Sequence, residues 1–565
     1  MMEPFERIDI QELPLSVPRY LGQLMDFLVR NDLRYEEVDL YLAALDGEGR
    51  IIAGAGLYHD VIKLVAVSSS ARSGGLVAPL VSRLIATAAE RGHTNLKVFT
   101  KPENRAIFES LGFHVLAEAP KAILMENGRG LEDYCRYLRA HRAPGVIVMN
   151  ANPFTLGHRF LVETAARFGE PLVVIPVKED ASQFPYEERL AMIRKGCEGL
   201  AEVVEGSDYQ ISAATFPTYF LKDLNDAADM QMRLDIDLFG RCIAPALGAT
   251  VRYVGSEPLD ELTAAYNRLM KELLPKYGIR VVEVSRLRDE KDPVMASRVR
   301  AGLDAGTFPS ALTPESTWPY LVADLMARAL RRELMLPYKP GLVYSTSAGA
   351  HSDMDYDLMF GSILALRRSY LRHREACGLV ELGKAVEADV LKYTGGVNTY
   401  RGAIFSHILV AEAFLQDPHG SMQELSSRIA RMAQSVPPSQ NTHGGKAVRA
   451  HGVKGALQMA QEGYRALFDK WLPYFRSLDM KPFQGQKTLL LILSELDDTC
   501  IIHRVGYDRA QAVKAEAAAL LKNFDEDALV DMDRRFCAEG ISPGGCADML
   551  SLTIFIDSIT KPSIF

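Results

Sequence analysis

The segment of residues 145–158 constrains the fold of this chain more than any other part of the sequence. Val146 to Met149 predict a buried β-strand, Asn152-Pro153 predicts a turn, and Thr155-Leu-Gly-His158 predict the start of a helix. A strand that enters a helix through such a turn directs backbone N–H groups to one point, where the helix dipole favours an anion. The glycine leaves room for a phosphate, and the histidine adds a polar group that would be cationic if protonated. The alternative interpretation is a tight turn with a surface histidine.

A second segment, residues 292–302, fits the same kind of site. Ser297 is suited to a helix N-cap, and Arg300 lies one turn further, where its guanidinium could reach back toward the same anion. The alternative is an ordinary solvated helix face that carries basic residues.

Together the two segments resemble the signature motifs of nucleotidyltransferases that attack the α-phosphate of ATP. The first corresponds to the Thr/His-x-Gly-His pattern after a strand. The second, Val294 to Arg300, corresponds to a later Ile-Ser-Ser-Thr-x-x-Arg motif, with Met295 where serine is common. The resemblance implies that His158 and Arg300 are catalytic and that ATP is bound by Asn152, Phe154, Thr155, Gly157, His158, Ser297 and Arg300.

Length and composition limit the remaining possibilities. A chain of 565 residues is too long for one core, and 48% hydrophobic with 24% charged residues is an ordinary globular mixture. The net charge of −8 argues against a general nucleic-acid binder, and no apolar run is long enough to span a membrane. The acidic N-terminus lacks a signal-peptide pattern, and the 7 cysteines include no Cys-x-x-Cys. We therefore expect a cytoplasmic protein with reduced thiols.

The pattern of predicted elements divides the chain into three domains. Residues 1–140 mix strands and helices and predict an α+β domain. Residues 141–325 alternate buried strands with helices, which predicts a doubly wound parallel α/β sheet whose ligands lie at the carboxyl ends of the strands. Residues 326–565 carry long helical patterns and predict an all-α domain.

The first domain resembles acyl-CoA N-acetyltransferases. Arg72-Ser-Gly74-Gly75 precedes a long helix, and a short helix ends in Gly112-Phe113. The resemblance implies that backbone N–H groups near Arg72, Gly74 and Gly75 hold the pyrophosphate of a CoA-like arm. No general base is evident, so we favour a binding domain without transferase chemistry over an active acetyltransferase.

The order of motifs across residues 1–325 resembles that of citrate lyase ligases. Its most specific part is the string Ala214-Thr-Phe-Pro-Thr-Tyr-Phe-Leu-Lys-Asp223, which stands between the two nucleotide motifs. The resemblance implies that ATP and acetate acetylate the thiol of a prosthetic group on the acyl carrier subunit of citrate lyase. The products would be AMP and pyrophosphate, with acetyl-adenylate as the intermediate.

Polar strings interrupt the helices of the third domain. Asp353/Asp355 and Asp497/Asp498 are paired carboxylates, suited to a Mg²⁺ ion that carries a triphosphate, although each pair could instead cap a helix or lie in a solvated turn. The strings resemble those of triphosphoribosyl-dephospho-CoA synthases, which join ATP to dephospho-CoA and release adenine. The resemblance implies Asp353 and Asp498 as catalytic groups, with substrate contacts from Lys339, Asn398 and Arg401.

The two halves make chemical sense in one enzyme, because one would build the prosthetic-group precursor and the other would acetylate the mature group. We therefore expect a bifunctional enzyme of citrate lyase activation that uses ATP, acetate, dephospho-CoA and the acyl carrier subunit. It would bind neither nucleic acid nor membrane. Two alternatives remain: a cofactor adenylyltransferase, and a carrier-binding protein with an inactive C-terminal domain. A related lyase could also be the partner.

Overall fold

The computed structural model describes residues 10–179, 182–211, 216–221, 224–257, 259–289, 292–438 and 449–562, without the side chains of 72–74, 224 and 225. Part of the string 214–223 lies outside these residues. By contacts between Cα atoms the chain divides into two compact units, Met1–Val294 and Met295–Phe565. The expected boundary after residue 140 falls inside the first unit.

The first unit begins with a seven-stranded sheet and four helices. Its strand order is β1-β2-β3-β4-β5-β7-β6, and every pair is antiparallel except β4 with β5. The strands are β1 Ile10–Glu12, β2 Leu40–Leu45, β3 Ile51–Tyr58, β4 Val61–Val67, β5 Lys97–Thr100, β6 His114–Ala119 and β7 Ala122–Glu126. The helices are α1 Pro18–Arg30, α2 Val77–Glu90, α3 Arg105–Ser110 and α4 Gly130–Leu138, with a 3₁₀ turn at Ser69–Gly74.

A five-stranded parallel sheet completes the first unit, in the order β10-β9-β8-β11-β12. The strands are β8 Gly145–Met149, β9 Leu172–Pro176, β10 Glu202–Val203, β11 Val251–Gly255 and β12 Arg280–Val284. The helices between them are α5 Leu156–Ala166, α6 Tyr186–Gly196, α7 Leu224–Leu238, α8 Ala244–Leu247 and α9 Glu261–Leu273, with a π-helical turn at Phe239–Ile243.

The chain first adds strands on one side of β8 and then on the other, so the direction of winding reverses beside this strand. In open α/β sheets the crevice at such a reversal, outside the carboxyl ends of the strands, is where ligands bind. Strand β9 is buried at every residue, the pattern expected of a parallel sheet covered on both faces. The sheet therefore places the end of β8, and the motif that follows it, at the position expected for a site.

Two apolar clusters hold the first unit together. One lies between the seven-stranded sheet and the helices α2 and α3, and includes Leu40, Leu80, Leu84 and Phe108. The other is continuous from α1 and the opposite face of that sheet to the parallel sheet and α7. Both sheets thus share one core, which explains why contacts do not separate them at residue 140.

The described regular elements of the second unit are helices, as expected from the sequence, apart from an isolated bridge between Tyr344 and Ser347. They are α10 Ala296–Asp304, α11 Trp318–Met335, α12 Tyr356–His373, α13 Leu379–Tyr393, α14 Arg401–Leu415, α15 Met422–Gln434, α16 Ala456–Gln461, α17 Leu472–Ser477, α18 Gln484–Glu495, α19 Thr499–Val505, α20 Tyr507–Lys522, α21 Glu526–Glu539 and α22 Gly544–Thr560. Short 3₁₀ and π turns lie at Ser310–Leu312 and Leu467–Trp471.

Helix α22 is the centre of this bundle. Its residues from Met549 to Ile559 are all buried, and it packs on α11, α14 and α18. A helix that is apolar around its whole circumference belongs in a core, because it has no face to present to water. Within the described ranges, no helix combines the length and apolar character needed to cross a bilayer.

Candidate functional site

The predicted strand–turn–helix start is present, and its histidine completes a capping box. Thr155 is the N-cap of α5, and its Oγ1 accepts a hydrogen bond from the backbone N–H of His158 over 3.3 Å. In return, the backbone N–H of Thr155 donates to Nδ1 of His158 over 3.0 Å. Capping boxes normally use Glu or Gln at the third helical position. Here an imidazole takes that place, so the helix start orients a ring that can also carry out chemistry.

The protonation state of His158 follows from these contacts. Because a backbone N–H can only donate, Nδ1 presents a lone pair, and the neutral ring carries its hydrogen on Nε2. Burial, reinforced by the Arg286 cation, lowers the pKa of His158 to about 3. The ring is therefore a neutral donor at physiological pH, whereas the sequence left a cationic form open. The Phe154 ring, fully buried, stacks on it at 5.8 Å between centroids.

Gly157 brings the two nucleotide motifs together. A Cβ built on Gly157 would lie 2.8 Å from the carbonyl oxygen of Val294, the residue that begins the second motif. Any side chain at position 157 would displace that backbone. The close approach that requires glycine here is thus an internal one, between the start of α5 and the chain leaving the first unit.

Arg189 holds the loops at the carboxyl edge of the sheet. Its side chain is fully buried and donates to the carbonyl oxygens of Asn150, Val177, Glu179 and Phe184 over 2.6–3.0 Å, and to Oδ1 of Asn150 over 2.7 Å. These acceptors lie in the loops that follow β8 and β9. One guanidinium therefore fixes two loops in a single arrangement.

Asn152 takes part in the same loop network. Its Oδ1 accepts a hydrogen bond from the backbone N–H of Phe184 over 3.1 Å. The side-chain oxygen of Asn152, a residue predicted to bind ATP, is thus already engaged within the protein. Phe184 itself is fully buried, so this contact anchors the loop after β9 to the loop after β8.

A further cation stands where β11 and β12 end. The Arg286 Nε donates to the carbonyl oxygen of Ser256 over 2.8 Å, and the guanidinium forms an ion pair with Glu257. Burial lowers the pKa of Arg286 from its ordinary value. The sequence analysis missed Arg286 as well as Arg189. The available signal for Arg286 was its position just after the largely apolar run of residues 281–284, which forms part of β12 in the structure.

The second motif forms a helix start, but Ser297 is not its cap. Helix α10 has Met295 as its N-cap, and the side chain of Met295 makes no capping hydrogen bond. The prediction of an N-cap at Ser297 was wrong, because Met295 has the extended backbone of a cap and the helix begins at Ala296, two residues earlier than that prediction implies. Ser297 is exposed in the first turn, and Arg300 is half-buried one turn further. Both belong to the second compact unit.

The turn predicted to hold a CoA-like arm precedes helix α2. Residues 69–74 form the 3₁₀ turn, and Gly75 follows with a left-handed φ of 61°, a conformation that glycine adopts without steric cost. No side chain caps the first turn of α2, whose N-cap is Leu76. Its N–H groups are therefore not satisfied by a capping side chain. The Arg72 side chain lies outside the described residues.

The second unit contains a cavity of about 1510 Å³. This exceeds the roughly 300–1,000 Å³ typical of small-molecule sites and gives room for two large substrates. Six residues singled out from the sequence line it, namely Lys339, Asp353, Asn398, Arg401, Asp497 and Asp498. Asp355 is not among the described lining residues. It is the N-cap of α12 and accepts a hydrogen bond from the Leu358 N–H over 2.9 Å.

Asp498 is the most constrained carboxylate of the cavity. It is the N-cap of α19, and its Oδ1 accepts hydrogen bonds from the N–H groups of Cys500 and Ile501 over 2.8 and 3.2 Å. Its Oδ2 accepts from the Cys546 N–H at the start of α22 over 2.8 Å. Burial nevertheless raises the pKa of Asp498. This carboxylate joins two helix starts and faces the cavity from between them.

The neighbouring carboxyl groups lie in different surroundings. Burial opposes ionisation of Asp497, but hydrogen bonds from Lys514 and Gln511, at 2.7 and 3.2 Å, lower the pKa of its carboxyl group. Asp353 is exposed, with its Oδ1 3.7 Å from Nδ1 of His351. Asp548, which the sequence analysis missed, lines the same cavity; burial and the carboxylates of Asp498 and Glu333 raise its pKa well above the ordinary value.

The predicted substrate contacts have partners within the protein. Lys339 is fully buried, and its Nζ donates to Oε1 of Glu333 over 2.5 Å. Burial lowers the pKa of Lys339 and raises that of Glu333. The Arg401 Nε pairs with Glu387 at 2.8 Å, and Oδ1 of Asn398 accepts from the Arg401 N–H over 3.3 Å. Glu333 is a further lining residue that sequence reasoning missed, since nothing marks it in an otherwise ordinary helix.

Metal binding by this cavity would rely on few protein ligands. Within the described ranges, no three His, Cys, Asp or Glu side chains are grouped to hold a metal ion. Mg²⁺ bound to a nucleotide commonly uses one or two carboxylates together with phosphate oxygens and water. Asp353 and Asp497 line the cavity and are suited to that role, whereas Asp355 and Asp498 are helix caps. The donor set therefore fits a triphosphate-bound ion better than a closed metal site.

Comparisons with known proteins assign the two parts of the chain separately. A model of the citrate lyase ligase C-terminal domain matches residues 144–321, and a model of ATP:dephospho-CoA triphosphoribosyl transferase matches residues 319–564. The citrate (pro-3S)-lyase ligase of Klebsiella pneumoniae is 41% identical over 315 residues, which cover 53% of this chain and 92% of that protein. The corresponding ligase of Escherichia coli strain K12 is 39% identical over 321 residues, 54% of this chain and 91% of its own.

The second half has relatives of its own. A probable 2-(5″-triphosphoribosyl)-3′-dephosphocoenzyme-A synthase of Stutzerimonas stutzeri is 33% identical over 266 residues, which cover 42% of this chain and 91% of that protein. Each half thus matches nearly the whole length of a separate protein. The chain belongs to the citrate lyase ligase family through its first part and to the ATP:dephospho-CoA triphosphoribosyl transferase family through its second.

Proposed function

We propose that this chain is a bifunctional enzyme of citrate lyase activation. One half makes the precursor of the prosthetic group, and the other acetylates the thiol of that group on its acyl carrier subunit. The observation that carries the proposal is the presence in one chain of two nearly full-length family matches, each with a separate site suited to ATP.

In the ligase half, a carboxylate oxygen of acetate attacks the α-phosphorus of ATP. The bond from that phosphorus to the bridging oxygen breaks, and pyrophosphate leaves, giving acetyl-adenylate. The Nε2–H of His158 donates a hydrogen bond to the phosphate oxygens as negative charge grows on them. The carrier thiol then attacks the acetyl carbon, loses its proton and releases AMP.

The remaining ligase residues bind and orient ATP. Ser297 and Arg300 also contact ATP, with the planar guanidinium suited to two phosphate oxygens. Thr155 and Gly157 begin helix α5, whose dipole favours the phosphates. Asn152 and Phe154 act on ATP mainly by shaping the loop, since the first accepts a hydrogen bond from Phe184 and the second is fully buried.

In the synthase half, a hydroxyl of dephospho-CoA attacks C1 of the ATP ribose. The new C1–O bond forms as the bond from C1 to the adenine nitrogen breaks, and adenine leaves with the electron pair of that bond. A carboxylate, Asp498 or Asp353, accepts the proton of the hydroxyl, and adenine takes up a proton as it departs. A Mg²⁺ ion held by Asp353 and Asp497 would neutralise and orient the triphosphate. Arg401, Asn398 and Lys339 support the substrates or the cavity wall.

The acetyltransferase-like head binds the prosthetic arm and does not acetylate amines. Two observations support this assignment: Gly75 is left-handed, and the start of α2 beside it has no capping side chain. The pyrophosphate of the arm would lie there, near Arg72 and Gly74. This arm and the substrate of the synthase half share the same pantetheine and pyrophosphate chemistry. Transfer of acetyl groups from acetyl-CoA to amines by the pure protein would contradict this assignment.

Two assays on the pure full chain test the proposal. Incubation with ATP, acetate and the deacetylated carrier should give AMP, pyrophosphate and the acetylated thiol. Incubation with ATP and dephospho-CoA should release adenine. Adenine release without acetate activation would contradict the proposed function of the ligase half. Acetate activation without adenine release would indicate a carrier-binding ligase with an inactive C-terminal half. Incorporation of AMP into a pantetheine compound would favour a cofactor adenylyltransferase instead.

A further inference from the structure

Two hydroxyl groups in the cavity of the second unit lack hydrogen-bond partners. Thr399 Oγ1 and Tyr400 Oη are both buried, and neither has a partner among the residues that the structure describes. Tyr400 is only 4% exposed. Buried hydroxyls are almost always hydrogen-bonded, so an orphaned one indicates a missing partner. Both residues line the cavity, which makes a bound substrate the natural partner.

The surroundings of Tyr400 favour an uncharged partner. Burial, followed by the nearby carboxyl groups of Glu333 and Asp548, raises the pKa of the Tyr400 phenol well above its ordinary value. The hydroxyl is therefore always protonated and available as a donor. These carboxyl groups offer no positive charge to a phosphate, whereas their oxygens can accept hydrogen bonds from sugar hydroxyls and amino groups.

The carboxyl and hydroxyl groups around Tyr400 and most of the cations of the cavity lie on different elements of secondary structure. Glu333, Tyr400 and Asp548 belong to α11, the start of α14 and α22, three helices that pack on one another. Other segments supply the unassigned basic side chains that line the cavity, which are Lys384, Arg449, Lys454 and Arg504. The cations suit the phosphate groups of both substrates. The acidic wall with its free hydroxyls suits the part of ATP that carries no charge.

We infer that Tyr400, assisted by Thr399, contacts the nucleoside portion of ATP, its ribose and adenine, in the synthase half. This contact rests on the proposed function of that half and adds to it a residue that determines where the ribose C1 lies. The Tyr400 hydroxyl donates to an acceptor of the ribose or base. Binding of the nucleoside thus gives the Tyr400 hydroxyl a partner that the described residues do not supply.

The test compares Tyr400→Phe with the unaltered full chain. Adenine release reports on the synthase half alone, although both halves use ATP. Loss of one neutral hydrogen bond should raise the KM for ATP about tenfold and leave the KM for dephospho-CoA within about twofold. In inhibition of adenine release, the inhibition constant of adenosine should rise by the same factor, and that of inorganic tripolyphosphate should not change.

Stability distinguishes this contact from a structural role. Because the hydroxyl has no partner among the residues that the structure describes, Tyr400→Phe should melt at the same temperature or higher. Tyr464→Phe is the matched control, since Tyr464 is 3% exposed, also has an orphaned hydroxyl and is not among the described lining residues. It should keep the ATP and adenosine constants of the unaltered chain.

Three results would overturn the inference: an unchanged KM for ATP, a rise in the tripolyphosphate constant equal to that for adenosine, or a lowered melting temperature with proportional loss for both substrates. If the unaltered protein released no adenine, the proposed function of this half would fail. Calorimetric titration with adenosine, which needs no turnover, then decides the contact. Equal isotherms for the unaltered chain and Tyr400→Phe would reject it, and a weaker isotherm for the variant would support it.

Discussion

The backbone N–H of Thr155 donates to Nδ1 of His158 over 3.0 Å, and this one contact fixes where the imidazole carries its proton. The hydrogen of the neutral ring must lie on Nε2, the atom not used by the capping box. The same two residues thereby begin the helix and orient a ring whose Nε2–H can donate a hydrogen bond. The capping box therefore leaves Nε2 as the ring nitrogen of His158 that can donate a hydrogen bond.

Replacing His158 with alanine should slow the ligase half selectively. Loss of a donor to a transition-state oxyanion typically lowers turnover by about 10²-fold or more, so acetate-dependent pyrophosphate release should fall by at least that factor. Adenine release should not change. Arg159→Ala is the matched control in the same helical turn, because its exposed ion pair with Glu163 contributes little. Near-normal turnover of a folded His158→Ala protein would remove this residue from the site.

The pH dependence follows from the neutral state of His158. With its pKa lowered to about 3, the ring is unprotonated throughout the range from about pH 5 to 8, so pyrophosphate release should show no inflection near the ordinary value of about 6.5. The folded state resists protonation more than the unfolded state does. As the pH falls below about 6.5, the unfolded chain therefore takes up the proton first, and the free energy of unfolding decreases.

The sign can be checked by urea unfolding of the first unit at about pH 7 and pH 5. The unaltered protein should lose more stability on acidification than His158→Asn, which has no titrating ring. A rate inflection near pH 6.5 that disappears in the variant would instead indicate a cationic His158.

Arg300→Lys keeps the charge of the second motif but loses the planar fork that can grip two phosphate oxygens. We expect an increased KM for ATP or slower adenylation in the ligase assay, by about tenfold, with adenine release untouched. Steady-state kinetics of both activities on one preparation provide the comparison. An equal fall in both would mean that the change disturbs the fold, or that Arg300 serves another role.

Asp498→Asn should abolish most adenine release and also weaken the fold. The carboxylate accepts three backbone N–H groups through both oxygens, whereas an asparagine has one oxygen and would place an NH₂ group against an N–H donor. Leaving such a group unsatisfied costs about 1–3 kcal/mol. Asp355→Asn is the control, since it caps α12 outside the described cavity lining and asparagine caps equally well. Equal effects of the two variants on adenine release would contradict the assignment.

Metal dependence can be tested separately from the helix-capping role of Asp355 and Asp498. EDTA should stop adenine release, and excess Mg²⁺ should restore it. Asp353→Asn should raise the Mg²⁺ concentration needed for half-maximal release severalfold without changing the melting temperature, because the Asp353 side chain is exposed. Full activity in EDTA would contradict a metal role, and an unaltered Mg²⁺ requirement would remove Asp353 from it.

The sequence predicted those parts of the fold and site that depend on local patterns. The strand Val146–Met149, the turn and the helix after Thr155 follow one another within a few residues, and the structure has all three. The parallel order around β8 was also expected, because buried strands alternated with helices. The helical nature of the second unit followed from long apolar periodicities without strand patterns.

The missed features depend on contacts between distant segments. Asp498 connects two helix starts only because tertiary packing brings the Cys546 N–H to its Oδ2. The acidic wall of the cavity combines Glu333 and Asp548, which are far apart in the sequence. The wrong prediction at Ser297 concerned only the position of a helix end. Serine is a preferred N-cap residue, but the extended backbone of Met295 makes Met295 the N-cap of α10.

Arg189 limits the changes in length that the loops after β8 and β9 can accept. Surface loops usually tolerate insertions and deletions, since their backbones meet only water. Here the carbonyl groups of Asn150, Val177 and Glu179 all terminate on one buried guanidinium. Adding or removing a residue in either loop would withdraw acceptors from a charge that has no access to solvent. We therefore expect that a change in the length of either loop would destabilise the first unit, whereas side-chain substitutions in the loops would leave these hydrogen bonds in place.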